Sequence, residues 1–222
     1  MDGTLVETEQ YWGEAMFALA ERLGGRLSAE ARQRTVGTSM RFAMNVLYED
    51  LGVTRSQRQF RADVRWIEDT TAELMTAGGV SWRPGAPELL DEVHRGVPGT
   101  ALVTTTPRRL ARLVLRHITA ELGQVFAVTV CGDEVPARKP DPAPYLQAMA
   151  ALRVDPARCV VIEDSTAGVT AGLAAGAAVL GVPSLQPLAP MPGLTLRHSL
   201  QGTGLEDLRD VLAVRGAVDL PA

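Results

Sequence analysis

The spacing of apolar residues changes once along this chain, at Gly78 and Gly79, and that change limits the folds open to it. Before it, apolar residues recur every three or four positions, the period of a helix with one buried face. Tyr11, Trp12, Ala15, Met16, Leu19 and Leu23 form the first stripe, which Gly24 and Gly25 end. Ser28 and Ser39 are the predicted N-caps of the next two helices, since a serine hydroxyl accepts from the free N–H groups of a first turn. Phe42, Val46, Leu47 and Leu51 mark the third helix. Thr54 is expected to cap a long fourth one, with Phe60, Val64, Ile67, Thr71 and Leu74 on one face. Four helices with no strand between them make a small bundle.

After Val80 the pattern becomes short apolar runs alternating with helices. The expected helices span Pro87–His94, Pro107–Ala120, Pro144–Leu152 and Ala167–Ala175. Between them lie the expected strands Thr100–Thr104, Phe126–Val130, Cys159–Ile162 and Ala177–Val182. Continuously apolar strands separated by helices indicate βα units and a parallel sheet covered on both faces. The fold class is therefore α/β, a doubly wound (Rossmann-like) parallel sheet joined to an α-helical bundle. Pro183 to Pro192, with its several prolines, reads as a loop, either a lid or a connection.

Charge and composition narrow the functional classes. Lys plus Arg number 22 and Asp plus Glu 26, a formal charge of −4, which gives no overall attraction to nucleic acid or anionic membranes. No apolar run approaches a membrane span, and Asp2, Glu7 and Glu9 occupy the place of the basic start of a secretory signal. A soluble, cytoplasmic protein, monomeric or weakly dimeric, is expected. Cys131, after one expected strand, and Cys159, at the start of another, are too few for a disulfide framework and are expected to remain unjoined.

In a doubly wound sheet, ligands collect beyond the carboxyl ends of the strands. Reading those ends in order gives Asp2, then Thr104 to Thr106, then Lys139, then Glu163, Asp164 and Ser165. A carboxylate pair directly after a buried strand suits a hard cation such as Mg²⁺. Hydroxyls and free N–H groups where a strand meets a helix can hold a phosphate. A lysine aimed at the same point would neutralise a transferring group. Each alone has a bland reading, as a helix cap or a surface lysine; their order and spacing together do not.

The run Met1, Asp2, Gly3, Thr4, Leu5 resembles the first motif, Asp-x-Asp-Gly-Thr, of the haloacid dehalogenase superfamily. Leu102 to Thr104 is similar to the second motif, and Lys139 to Pro142 to the third. Val160 to Ser165, with Gly168, Ala171 and Gly176, is similar to the fourth. The chain thus resembles the branch of small phosphatases and beta-phosphoglucomutase-like enzymes with a helical cap. The resemblance implies a catalytic core of residues 1–7 and 79–222 and a four-helix cap of residues 8–78.

It also implies phosphoryl transfer to an aspartate, with Mg²⁺ as cofactor and a small phosphorylated metabolite as substrate. By resemblance Glu163, Asp164 and the backbone carbonyl of Asp2 hold the metal. The Thr104 hydroxyl, the Thr105 N–H and Lys139 hold the phosphoryl oxygens. The Asp2 side chain is the general acid and base, which argues against dehalogenation, since halide leaves unprotonated. Thr38 and Arg41, by the cap's substrate loop, are candidates for the leaving group. Met40 stands where a sugar phosphomutase usually has a basic residue, which favours the phosphatase; a mutase and an inert phosphate-binding protein are the alternatives. One departure is large: Asp2 aligns with the second aspartate of the motif, so the nucleophile falls directly before Met1. Either Met1 is internal to a longer polypeptide, or this is a catalytically incomplete family member.

Overall fold

The computed structural model describes residues 1–218. Two compact units divide the chain, Glu7–Ser81 on one side and Met1–Val6 with the residues from Trp82 onward on the other. Strand β1 (Val6–Glu7) leads into the helical unit, which holds α1 (Glu9–Arg22), α2 (Ala29–Thr35), α3 (Met40–Leu51) and α4 (Gln57–Gly78). Strand β2 (Ser81–Trp82) leads out and pairs with β1.

The helical unit follows its apolar stripes. Ala15, Met16 and Leu19 of α1, Met44, Val46 and Leu47 of α3, and Ile67 of α4 form one buried cluster, against which Trp12 packs. Ser28 and Ser39 cap α2 and α3 as expected, accepting from the N–H groups of Ala31 and Phe42. The cap of α4 is Ser56, not Thr54. Ser56 accepts from the Gln59 N–H while the Gln59 side chain accepts from the Ser56 N–H, so two free donors are satisfied at once. Thr54, two positions earlier, has the same spacing to Gln57, but the reciprocal pair forms at Ser56 and Gln59. The one buried carboxylate in this helix, Asp63, is held by a two-pronged ion pair from Arg55 at 2.7 and 2.9 Å and by the Tyr48 hydroxyl at 2.9 Å.

The other unit alternates strands and helices in the expected order: α5 (Ala86–Gly96), β3 (Ala101–Val103), α6 (Arg108–Leu122), β4 (Val128–Val130) and α7 (Ala143–Leu152), then β5 (Val160–Glu163), α8 (Thr166–Ala174) and β6 (Ala178–Gly181). Beyond the loop at 183–192 come β7 (Leu194–Leu196) and α9 (Leu205–Val218), which the sequence reading does not anticipate. All pairing in this unit is parallel, with Ala101 opposite Val128, Val160 opposite Ala178 and Val179 opposite Leu194. Among the described residues these strands form two sheets, β3–β4 and β5–β6–β7. Among the described residues, no strand pairs with the remaining edge of β3 or of β5.

Packing explains why β6 is apolar throughout: α8 and α9 both lie on it, and all four of its residues are buried. Helix α7 packs on β3 and β4, which brings the connection ahead of α7 to the carboxyl end of β3. Cys131, buried just past β4, and Cys159, just before β5, are both free thiols. Among the described residues, no helix is long and apolar enough to cross a membrane.

Candidate active site

The polar residues at the carboxyl ends of β3 and β5 are tied into a closed circuit of contacts. At the end of β3, the Thr104 N–H donates to the Val130 carbonyl at 2.9 Å, and its hydroxyl accepts from the Thr106 N–H at 3.2 Å. Thr106 in turn donates its hydroxyl to Asp2 Oδ2 at 2.7 Å. Thr104 and Thr106 are buried, whereas Thr105 between them is exposed.

Asp2 sits in a tight turn in which the Met1 carbonyl accepts from the N–H groups of Thr4, Leu5 and Val6. Gly3 adopts φ +71°, and a β-carbon there would lie 2.3 Å from Asp164 Oδ2. The turn therefore needs glycine both for its left-handed backbone and for the close approach of a carboxylate. Thr4 completes the link from this turn to β5, donating its hydroxyl to Asp164 Oδ1 at 2.5 Å.

Lys139 joins the two strand ends from the other side. Its ammonium donates to the Val103 carbonyl at 2.9 Å and to Glu163 Oε1 at 2.5 Å. Tyr145 on the first turn of α7 also donates to Glu163 Oε1, and its ring centroid lies 4.7 Å from Lys139 Nζ. Ser165, the N-cap of α8, donates to Glu163 Oε2 at 3.3 Å. Gly168 closes the last side: a β-carbon there would lie 2.0 Å from the Glu163 carboxylate.

These surroundings split the two adjacent carboxyls. Burial works against ionisation of Glu163, but the Lys139 ammonium, the Met1 ammonium and the hydrogen bonds from Lys139 and Tyr145 outweigh it. Its carboxyl is held below the usual range. Asp164 has no such cation on its own oxygens. Burial, and then the charge of Glu163, push its carboxyl up to about 6.

Among the described residues, no three acidic, histidine or cysteine side chains are grouped as metal ligands. The expected set has two such side chains and a backbone carbonyl. Its donors are all oxygens, and the carboxylate of Asp164 beside the substituent-free α-carbon of Gly3 is a setting that a small hard cation fits. Glu163 is turned towards Lys139 and Tyr145.

Of the residues expected from sequence, Asp2, Thr104, Lys139, Glu163 and Asp164 all stand in this circuit, and Thr105 lies on its exposed side. Thr38 and Arg41 belong to the helical unit. There the Thr38 hydroxyl donates to the Thr35 carbonyl at 2.7 Å, and the Arg41 guanidinium lies over the Phe60 ring, 5.4 Å from its centroid. Thr4 and Thr106 lie in stretches read from the sequence but carry no role of their own there, and Tyr145 is not among the residues the sequence points to. The signal for Tyr145 was available in principle, because a tyrosine on a buried helical face needs a partner for its hydroxyl.

Residues 1–176 match the family model described as haloacid dehalogenase-like hydrolase. The chain belongs to that family. This hydrolase is 35% identical over 177 residues to the phosphorylated carbohydrates phosphatase of Thermotoga maritima, which covers 79% of each chain. It is 32% identical over 207 residues to hexitol phosphatase A of Escherichia coli, covering 90% of this chain and 89% of that one. Among solved structures, CbbY from Rhodobacter sphaeroides in complex with phosphate superposes with a TM-score of 0.81 at 26% identity, covering 94% of this hydrolase and 96% of CbbY.

Proposed function

We propose that this hydrolase is a Mg²⁺-dependent phosphatase of small phosphorylated carbohydrates, acting through an aspartyl-phosphate. The observation that carries the reading is the buried Lys139 ammonium, fixed between the carboxyl ends of β3 and β5 within the same circuit as the Thr104 hydroxyl. The relatives' names point to the sugar part of the substrate.

Lys139 has three N–H donors, of which the Val103 carbonyl and Glu163 take two. The third serves a phosphoryl oxygen. Thr104 accepts from Thr106, so its own O–H is the second donor, and the exposed Thr105 offers its N–H as a third. Asp2, steadied by the Thr106 hydroxyl, gives a proton to the leaving sugar oxygen and then takes one from the attacking water. Asp164 and the Asp2 carbonyl, with Glu163 beside them, would hold the metal, which when bound would supply charge neutralisation at the phosphoryl oxygens. An aspartate placed directly before Met1, on a strand between β3 and β5, would supply the nucleophilic carboxylate. No dehalogenase chemistry is proposed, because Asp2 provides an acid that halide departure does not use.

The test is phosphate release from a panel of sugar monophosphates by the polypeptide carrying an aspartate directly before Met1. Release that needs Mg²⁺, is abolished by a chelator and needs no sugar bisphosphate as activator is the expected result. Release unaffected by chelation would overturn the metal role. Turnover only with a bisphosphate present would mean a mutase.

A further inference from the structure

We propose that Tyr145 is a positioning residue that acts on both members of the buried ion pair, its hydroxyl fixing Glu163 and its ring seating Lys139. The inference rests on the phosphatase reading above, because it gives Lys139 and the Glu163–Asp164 pair their ligands.

Tyr145 is 6% exposed, so its hydroxyl cannot be satisfied by bulk water. Glu163 Oε1 is its partner, the same oxygen that Lys139 uses. The ring face lies under the ammonium, at a distance where an ammonium is attracted by the π electrons. Lys139 and Tyr145 stand in one short stretch, the Pro-rich connection at 140–142 and the first turn of α7, and α7 packs on β3 and β4. A movement of that turn would therefore move both contacts together.

Each contact limits a different freedom. A lysine stem has many rotamers, and at the carboxyl end of β3 the Tyr145 ring supplies a floor that keeps the ammonium where one N–H is left over for a ligand. A glutamate carboxylate can rotate about its last bond; with Tyr145 and Lys139 on Oε1, Ser165 on Oε2 and Gly168 against it, that rotation is blocked. The two effects are separable by substitution. Phenylalanine keeps the ring and removes the hydroxyl, whereas leucine removes both.

The experiment measures two affinities by calorimetry on the 222-residue protein, inorganic phosphate without divalent cation and Mg²⁺ without phosphate. Folding of each variant is followed by circular dichroism. Tyr145→Phe should weaken Mg²⁺ binding about fivefold and leave phosphate binding within about twofold, as loss of one hydrogen bond predicts. Tyr145→Leu should weaken phosphate binding about fivefold as well, through the lost cation–π contact. Equal affinities in all three proteins, each folded, would overturn the positioning role. So would a phenylalanine variant that loses phosphate as badly as the leucine variant, which is what simple packing damage gives. Lys139→Ala separates this from failure of the underlying reading: wild-type phosphate affinity in that variant would remove Lys139 from the phosphate site, and the proposal for Tyr145 with it.

Discussion

The Lys139 ammonium and the Glu163 carboxylate stand 2.5 Å apart, and each side chain is 6% exposed. Two opposite charges withdrawn from water in this way are each other's main solvation. Removing one leaves the other buried and uncompensated, which typically costs about 3–5 kcal/mol. Lys139→Met and Glu163→Gln should each destabilise the protein on that scale, measured by urea denaturation. The double variant should recover a large part of the loss, since neither charge is then stranded. A double variant as unstable as the sum of the two would show that packing, not charge, sets the cost.

Asp164 gives the protein a pH dependence of defined sign. Its carboxyl is raised from the ordinary value to about 6 by burial and by Glu163. The folded state therefore prefers the protonated acid. The stabilisation is fully present below the unfolded carboxyl pKa of about 4 and is lost as pH rises through about 6, on the order of 2–3 kcal/mol in all. Asp164→Asn mimics the neutral acid and should flatten the stability profile between those limits while raising stability at neutral pH. Urea midpoints from pH 4 to 8, in chelator, test it; an unchanged slope in the variant would assign the pH dependence to another group.

The two thiols should react unequally. Cys131 is buried, and burial pushes its thiol up to about 11, so almost no thiolate is present near neutrality. Cys159 is partly exposed, and burial raises its thiol too. Alkylation of the native protein at pH 8 should modify Cys159 first, with Cys131 following only on unfolding. Rapid labelling of both in the native protein would mean that the end of β4 opens readily.

The sequence carried the fold because the period of its apolar residues changes where the architecture changes. Leu19, Leu47 and Ile67 lie on helical stripes and are all buried in one cluster. Val103, Val161 and Val179 lie on short apolar runs and share another. Thr104, Glu163 and Asp164 are legible because each stands at the end of such a run, whereas Asp2 and Lys139 are legible through the motifs they resemble. What was missed depends on contacts between distant segments. Tyr145 reads as an ordinary core aromatic until β5 brings Glu163 to its hydroxyl, and Thr4 acquires meaning only when Asp164, 160 positions on, meets it. The cap of α4 falls on Ser56 and not on Thr54 although both have a glutamine three residues on, so the sequence pattern by itself does not choose between them. The strand β7 and helix α9 follow a Pro-rich loop that hid the return of Leu194 and Leu196 to the sheet edge.

Gly168 should tolerate no side chain while Glu163 is present. A β-carbon there would fall 2.0 Å from the carboxylate, closer than any real contact, on a helix whose first turn is fixed by the Ser165 cap. Gly168→Ala should therefore cost about 1–3 kcal/mol, the range for overpacking a dense interior, and should weaken phosphate binding by displacing Lys139 along with Glu163. Pairing it with Glu163→Ala makes room for the new methyl group. The change from glycine to alanine should then be nearly neutral in stability. A penalty equally large in both backgrounds would place the obstruction elsewhere on α8.

The unpaired edges of β3 and β5 make the last prediction. Among the described residues each strand has one neighbour, β4 and β6 respectively, and Lys139 contacts the carboxyl ends of both. Parallel strands lie about 4.8 Å apart, so one further strand placed between two others restores hydrogen bonding on both sides. The turn that begins at Met1 lies at the same ends, because Thr4 reaches Asp164 and Asp2 reaches Thr106. Extending the polypeptide by about seven apolar residues that end in aspartate directly before Met1 should fill this interval, seven being a normal strand length. It should raise the unfolding free energy by several kcal/mol, since a central strand is buried on both faces. It should also confer sugar phosphate hydrolysis. Asp2 does not stand in for the added carboxylate, because it lies two positions further on, in the tight turn beyond the added strand, with its carboxylate tied to the Thr106 hydroxyl. A third polypeptide, ending in asparagine instead, separates the two gains: it should be as stable as the aspartate version and inactive. Hydrolysis by the 222-residue chain as fast as by the aspartate extension would make Asp2 itself the nucleophile.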